Sequence, residues 1–336
     1  MTIYDISEKA GVSIATVSRV LNGSSNVSEK TRKKVLEVME EYDYTPNAFA
    51  RGLGLNTMNT IGILCADSSD LYLAKAVYLI EQSLRANNYD SLLCCTGYDL
   101  ENKKKYVELL LSKKVDSIIL VGSDFVGEKN GDNEYIRNAA SQIPIMLLNG
   151  ALDSPNVYSI VSDDRRSMYE AASSLILAGV RDILYFYNSD SYSGRHKLAG
   201  YRAAMAEAGI SPPPSMLQFY GGPHEDIDAM TKTLLNLSKR GVKFNGVIAA
   251  DDNLAIAAVK YAKKKKLKIP EDFAVIGYNN SILTACCEPE LTSIDNKLDT
   301  LCRQLITSLM EVLAGNSIPK KALFSGELVK RGTTPF

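Results

Sequence analysis

"GVSIATVSRVLNG" (residues 11–23) is the stretch whose reading decides the N-terminal architecture. Val17, Val20 and Leu21 recur at helical spacing and form one apolar face, which leaves Ile14, Ala15, Ser18, Arg19 and Asn22 pointing the other way. That outward set is odd for water and sensible for a DNA major groove. Arg can grip guanine through two donors, Asn can pair with adenine, and small apolar groups can meet thymine methyls. Gly11 is free to take the positive φ of a tight turn, so "GVS" can join this helix to the one before it, with the small Ser7 where the two would cross. The rival reading is a plain helical bundle.

Outward from that stretch, no strand-like run occurs in the first 57 residues. Three short helices are predicted over about 3–10, 14–22 and 29–42, with Thr2, Ser13 and Ser28 as N-caps. Pro46 stops the third, because it disfavours helical geometry at Thr45. Residues 1–57 carry seven basic side chains, Lys9, Arg19, Lys30, Arg32, Lys33, Lys34 and Arg51, and seven acidic ones, Asp5, Glu8, Glu29, Glu37, Glu40, Glu41 and Asp43. The module is neutral but polarised, with its basic group near the start of helix three and its acids near the end.

From Ile61 the rhythm changes to short apolar runs separated by amphipathic stretches of helical pattern. "IGILCA" (61–66), "SLLCCT" (91–96), "SIILVG" (117–122) and "IPIMLL" (143–148) form one set of strands. "ILYFY" (183–187), "MLQFY" (216–220), "GVIAA" (246–250) and "FAVIGY" (273–278) form a second. Such alternation predicts two similar lobes of parallel sheet covered by helices, with a ligand cleft beyond the carboxyl ends of the strands.

Composition narrows the function classes. A chain of 336 residues with 46% hydrophobic and 23% charged residues can fold into two or three ordinary domains. A formal net charge of -1 argues against nonspecific coating of nucleic acid, which needs many Lys and Arg to release counterions. "MTIYDISEKAGVS" lacks the features of a signal peptide and no run reaches 18 apolar residues, so a cytoplasmic location without membrane insertion is expected. Cys65, Cys94, Cys95, Cys286, Cys287 and Cys302 lack C-x-x-C spacing, and the adjacent pairs are expected to be buried thiols.

"TIYDISEKAGVSIATVSRVLNGSSNVSEKTRKKVLEVMEEYDYTPN" resembles the DNA-binding head of the LacI/GalR (lactose-repressor) family over almost 50 residues without a gap. The resemblance implies that helix two is a recognition helix with Ile14, Ala15 and Arg19 reading bases, while Ser13, Thr16, Ser18, Asn22 and Ser28 mostly hold phosphates and Tyr4 joins the DNA contacts. "PNAFARGLGLN" matches the family's hinge, which forms a short helix when paired with its dimer mate on DNA and wedges a leucine into the minor groove. Asn47, Ala50 and Leu53 would take those roles. Gly52 and Gly54 flank that leucine here, and each costs a helix about 1 kcal/mol relative to alanine, so the hinge helix should end early or form less readily.

The resemblance runs on through "NTIGILCADSSDLYLAKAVYLIEQSL", "GYRAAMAEAGI", "KIPEDFAVIGYNN" and the closing strand "ELVKRGTT". It implies an α/β fold: a two-lobed core like type I periplasmic-binding proteins, with two doubly wound parallel sheets, behind a small all-α helix-turn-helix domain. The expected boundaries are residues 1–46 for the head, 47–58 for the hinge and 59–336 for the effector-binding and dimerisation core. Lobe one would take about 59–161 and 292–322, and lobe two about 162–291 and 323–336.

By position, Asp70 and Tyr72 fall where the family's "NPF" stretch lines the cleft, Asn149 ends the fourth strand, and Ile160 lies near the crossover. Arg195 in "SGRHKLAGYRAA" is matched to the arginine that grips effector oxygens, with Asp251 and Asn279 opposite it. Asn279 replaces a common aspartate, and the aromatic wall near the sixth strand is either Tyr220 or absent, its position taken by Gly222. With no Trp in the chain, a sugar platform must use Tyr or Phe. A guanidinium and several short polar groups suit a polyhydroxylated ligand.

The implied function is a ligand-controlled, sequence-specific regulator, a repressor of carbohydrate uptake or catabolism genes. It would bind a roughly palindromic operator as a homodimer and answer to a sugar-like effector. No cofactor or metal is expected, and no enzyme. "KKKK" (263–266) reads as a helix end whose cations complement the helix dipole, "GLG" (52–54) follows no strand, and His196 and His224 are too few for a His-rich metal site. A solute-binding protein and an α/β enzyme are the rivals. The N-terminal helices disfavour the first, and the absence of a P-loop or G-x-S-x-G elbow disfavours the second.

Overall fold

The structure, a computed structural model, describes residues 1–21, 24–44 and 57–336. They form two compact units, residues 1–60 with 114–116 and residues 61–113 with 117–336.

In the first unit, α1 (Ile3–Ala10), α2 (Ile14–Leu21) and α3 (Glu29–Glu41) stand where the periodicity predicts them. Thr2 and Asp5 form a capping box at the start of α1, and Gly11 ends it at φ 60°, its N–H donating to the carbonyls of Ser7 and Glu8. Ser7 Oγ donates to the Val12 carbonyl at 2.6 Å, which ties the turn between α1 and α2. Ser13 Oγ accepts from the Thr16 N–H (3.2 Å) and Ser28 Oγ from the Thr31 N–H (3.3 Å), so the three expected caps are in place. Ile6, Ala10, Val17, Val20 and Val35 are the buried core of this small unit.

The second unit contains two sheets. The first is built from β1 (Thr60–Cys65), β2 (Asp90–Cys95), β3 (Ser117–Val121), β4 (Ile145–Leu148), β5 (Val157–Ser162) and β11 (Lys321–Phe324), in the order β11-β5-β4-β3-β1-β2. The second is built from β6 (Ile183–Tyr187), β7 (Leu217–Phe219), β8 (Gly246–Ala249), β9 (Ala274–Tyr278), β10 (Thr292–Asp295) and β12 (Glu327–Val329), in the order β12-β10-β9-β8-β6-β7. Pairing is parallel except between β10 and β12. The helices are α4 (Leu71–Ala86), α5 (Leu100–Ser112), α6 (Glu134–Ala140), α7 (Asp164–Leu177), α8 (Tyr192–Glu207), α9 (Ile227–Lys239), α10 (Asp252–Lys265), α11 (Leu283–Cys286) and α12 (Leu298–Leu313).

All eight strands expected from apolar runs are present, and β12 begins the closing strand that the resemblance implied. β5, β10, β11 and β12 are additional to the eight apolar runs. Their sequences, "VYSIVS", "TSID", "KALF" and "ELV", interleave polar residues because each lies at or next to a sheet edge. They also correct the lobe boundaries. β10 was expected in lobe one and pairs with β9 in the second sheet, while all of β11, through Phe324, pairs with β5 in the first. The chain therefore crosses between lobes at 162–164, 295–298 and 324–327.

Gly200 lets α7 and α8 approach closely: a Cβ there would lie 2.1 Å from the Arg165 carbonyl oxygen. Neither adjacent cysteine pair is buried as expected: Cys94 and Cys287 are only half-buried. Cys65 and Cys302 are buried, whereas Cys95 and Cys286 are exposed, because neighbours on an edge strand or a short surface helix point different ways. The lysine run closes α10, with Lys266 in the left-handed cap position. Among the described residues no helix is long and apolar enough to cross a membrane.

Candidate DNA-reading face and effector cleft

On α2, packing of Val17 and Val20 inward leaves Ile14, Ala15 and Arg19 exposed, and Thr16 and Ser18 half-buried beside them. Tyr4 on α1 is exposed as well. Ser13 and Ser28 sit at the exposed N-termini of α2 and α3, where free N–H groups and the helix dipole favour a phosphate. Asn22, Asn47, Ala50 and Leu53 lie outside the described residues, so the minor-groove reading of the hinge stays a sequence expectation.

The cleft of the second unit is lined from the carboxyl ends of strands in both sheets. Two chambers share Asp70, Tyr72, Asp251 and Asn279. One is a cavity of about 470 Å³, in the range of small-molecule sites, and the other of about 120 Å³. Asp70 follows β1 and caps α4, its Oδ1 accepting from the Leu73 N–H at 2.9 Å. Asp251 follows β8 and caps α10, with Oδ1 on the Leu254 N–H (2.8 Å) and Oδ2 accepting from Asn188 Nδ2 (2.6 Å). Helix-capping geometry thus holds one carboxylate from each lobe in the cleft. Asn149, at φ 60°, donates from Nδ2 to the Tyr72 hydroxyl while its Oδ1 accepts from the Ser162 N–H (3.3 Å). Asn279 stands at φ 94° after β9, a conformation asparagine tolerates better than most residues.

Five of the seven expected effector residues are therefore brought together, and two are not. Arg195 lies outside the residues lining the cleft, its guanidinium donating to the Asp190 carbonyl at 2.5 Å. The inward face of α8 carries Ser193, Gly194, Lys197, Gly200 and Tyr201, and Arg195 is about 200° around the helix from Lys197. The buried cation in the cleft is Lys197, which donates to the Ala250 carbonyl (2.9 Å) and lies 3.7 Å from the Tyr278 ring centroid. Burial lowers its pKa, opposed by the charges of Asp164 and Asp251. Ile160 packs into the first lobe's core with Met146, Leu148 and Leu305, because alternation along β5 turns it toward α12.

The aromatic wall also differs. Tyr220 is buried in the second lobe's core, and Gly222 lies under its ring. Besides Tyr72, the rings at the cleft are Tyr98, after β2, and His224, after β7. Their planes are 7° from parallel and their centroids 6.0 Å apart, one from each lobe. Ser123 Oγ donates to Ser191 Oγ (2.8 Å) across the same opening. Asn188, Tyr98, His224, Lys197 and Asn296 escaped the sequence reading. All but Lys197 follow the end of a strand, which is the positional signal that could have found them.

Asp252, beside Asp251, accepts from Ser293 Oγ (2.6 Å) and the Ser281 N–H (2.7 Å), and burial pushes its carboxyl up to about 6. The folded state therefore takes up this proton before the unfolded chain does, and the core gains stability as pH falls through 6. Asp252→Asn should remove that gain. Between pH 7 and 5, wild type should rise relative to the variant by about 1 kcal/mol, roughly 3 °C in melting temperature, and parallel melting curves would contradict it.

A model of bacterial regulatory proteins of the lacI family matches residues 2–47, and a model of the periplasmic binding protein-like domain matches residues 172–334. The chain is 56% identical, over 100% of both sequences, to an HTH-type transcriptional regulator of Lachnoclostridium phytofermentans. It is 34% identical to the HTH-type transcriptional regulator DegA of Bacillus subtilis, covering 87% of this chain and 86% of that one. The crystal structure of the Lac repressor dimer bound to operator and the anti-inducer ONPF superposes with a TM-score of 0.87 at 25% identity, covering 99% of each chain. A helix-turn-helix head followed by a two-lobed ligand-binding core defines a transcriptional regulator, not an enzyme. The chain belongs to the LacI family.

Proposed function

We propose that this regulator is a repressor that binds a roughly palindromic operator as a homodimer and is controlled by a small, sugar-like effector in the inter-lobe cleft. The observation that carries the reading is a ligand-sized polar cleft on a chain that also bears an exposed recognition face of Ile14, Ala15 and Arg19. Carboxylates, amides and a tyrosine pair converging from both lobes give directed partners to a ligand with many hydroxyls, and the Tyr98 and His224 rings offer an apolar face. Repression is supported by likeness to the Lac repressor, whose solved form is an operator-bound dimer. Asp70, Tyr72, Asn149, Asp251 and Asn279 hold the effector, with Lys197 in the place expected of Arg195. The ligand acts by favouring one arrangement of the lobes over another, which is the condition for coupling it to DNA affinity.

The dimer reading has its own support. Edge strand β2 leaves Leu92 and Leu93 exposed, the latter at 47%, and Leu71 and Tyr78 on α4 are exposed too. Apolar side chains gathered on an edge strand and the helix after β1 suit a second copy of the chain. Leu92→Lys combined with Leu93→Lys should convert the sedimenting species from dimer to monomer, and an unchanged dimer would remove this surface from the interface.

The function is tested with the full chain and duplexes selected from a random pool. Recovery of a two-fold symmetric site, and a change in its affinity on adding members of a sugar panel, is the expected result. Failure to enrich any sequence would sink the regulator reading. Enrichment with no response to ligands would sink the effector.

A further inference from the structure

The cleft is acidic. Asp70, Asp124, Asp251, Asp252, Asp295 and Asp299 line its two chambers, against the ammonium groups of Lys75 and Lys197. Among the described residues none of these six carboxylates forms an ion pair with a Lys or Arg. Lys197 is already engaged by the Ala250 carbonyl and the face of Tyr278. Nor are the acids a metal site, since no group of three or more His, Cys, Asp or Glu among the described residues is arranged to hold an ion.

Two further features point to a ligand. Asn296 follows β10 at a crossover and is 2% exposed. Its Nδ2 donates to the Tyr72 hydroxyl (3.0 Å), while Oδ1 has no partner although the residue lines the smaller chamber. Turning the amide over would exchange the two ends and still leave one of them unpaired in the cleft. Asp70 and Asp251 come from opposite lobes. Burial pushes the Asp70 carboxyl up, the Leu73 N–H opposes it, and the like charge of Asp251 adds to the rise. Carboxylates brought together without a direct ion pair repel across the cleft, a repulsion that the buried Lys197 offsets only in part, and an anionic ligand would add to it. A neutral sugar would leave it in place, whereas an ammonium group would reverse it.

We propose that the effector is a polyhydroxylated amine, such as an amino sugar, whose ammonium group is held between Asp70 of the first lobe and Asp251 of the second while its hydroxyls meet the amides of Asn149, Asn279 and Asn296. This assignment rests on the reading of the cleft as the effector site. The positive charge draws the two lobes onto the ligand, so binding and closure are one event. A phosphorylated or carboxylated sugar is excluded by the same charges.

The test uses the full chain near pH 7 and three hexose skeletons (gluco, galacto and manno). Each is supplied as the free amine, the N-acetyl amide, the neutral parent, the 6-phosphate and the uronate. A ligand at about ten times its Kd raises the melting temperature of a domain this size by roughly 3 °C. The expected result is a rise with the amine on at least one skeleton that exceeds that of all its neutral and anionic counterparts. The excess should be lost in Asp70→Asn and in Asp251→Asn, since asparagine keeps the helix cap and removes only the charge. Asp70→Asn should also raise the melting temperature of the ligand-free protein, and a fall would overturn the unpaired-charge premise. Equal or better binding of a neutral or anionic hexose overturns the proposal, as does a panel in which no form of any skeleton shifts the melt. If such a neutral or anionic shift is abolished by Asn279→Ala, the cleft remains the effector site and only the ammonium assignment falls. A shift that Asn279→Ala, Asp70→Asn and Asp251→Asn all leave intact removes the cleft itself from effector binding.

Discussion

Ile6→Ala should weaken operator binding by at least about 100-fold and leave the ligand-binding core folded. Ile6 is 0% exposed and belongs to a cluster whose other buried members, among the described residues, are Ala10, Val17, Val20 and Val35. Truncating a buried isoleucine to alanine costs about 2–5 kcal/mol. A core this small supplies about 3–5 kcal/mol in all, so the variant head is mostly unfolded near 37 °C. The second unit has its own clusters and shares none of these residues, so its melting transition should stay within about 1 °C of wild type. Fluorescence anisotropy with a labelled operator should show affinity falling by at least about 100-fold, the factor that corresponds to roughly 3 kcal/mol. A fall of less than about threefold would mean that the head does not depend on this cluster.

Arg19→Ala has the second large effect, by a different route. Arg19 is exposed on α2, one turn beyond Ala15 and on the face left outward when Val17 and Val20 are buried. A bidentate arginine contact to guanine is worth about 1–3 kcal/mol of discrimination, and a palindromic site uses it twice. The summed loss of about 2–6 kcal/mol is an affinity drop between about 30-fold and more than 10⁴-fold on the selected operator. Binding to unrelated duplex should change by about tenfold or less, because that binding rests on phosphate charge. The two ratios decide the role. An equal loss on both duplexes would make Arg19 a phosphate contact.

The head was legible because its signals are local. Thr2, Ser13 and Ser28 cap their helices, Gly11 turns the chain, and the spacing of Val17 and Val20 defines which face of α2 is left outward. Asp70, Tyr72, Asn149, Asp251 and Asn279 were found for a related reason. They came from the positional match to the LacI family, and the match held at these positions because each stands at or just after a strand end or helix cap, where position in the chain nearly specifies position in the cleft.

Arg195 and Ile160 went astray where helical phase and strand face decide the outcome. Two residues along α8 separate Arg195 from the buried Lys197, and the strand face that Ile160 takes on β5 puts it in the core. Tyr98 and His224 are 126 positions apart in sequence, and no local pattern announces that their rings meet. Asn296 became a cleft residue only because β10 joins the second sheet and the chain then crosses back.

From its sequence alone, then, the protein declares its class through the resemblance of its head and core to the LacI family, and its two repeated α/β lobes and the outward face of its second helix through periodicity, capping and turn chemistry within a few residues. The tertiary structure decided that Lys197 rather than Arg195 faces the cleft, where the lobes exchange strands, and that carboxylates from both lobes line the same cavity without a direct ion pair. Those outcomes depend on helix rotation, sheet order and charges brought together from distant parts of the chain, and burial strengthens their interaction only once the fold has placed them.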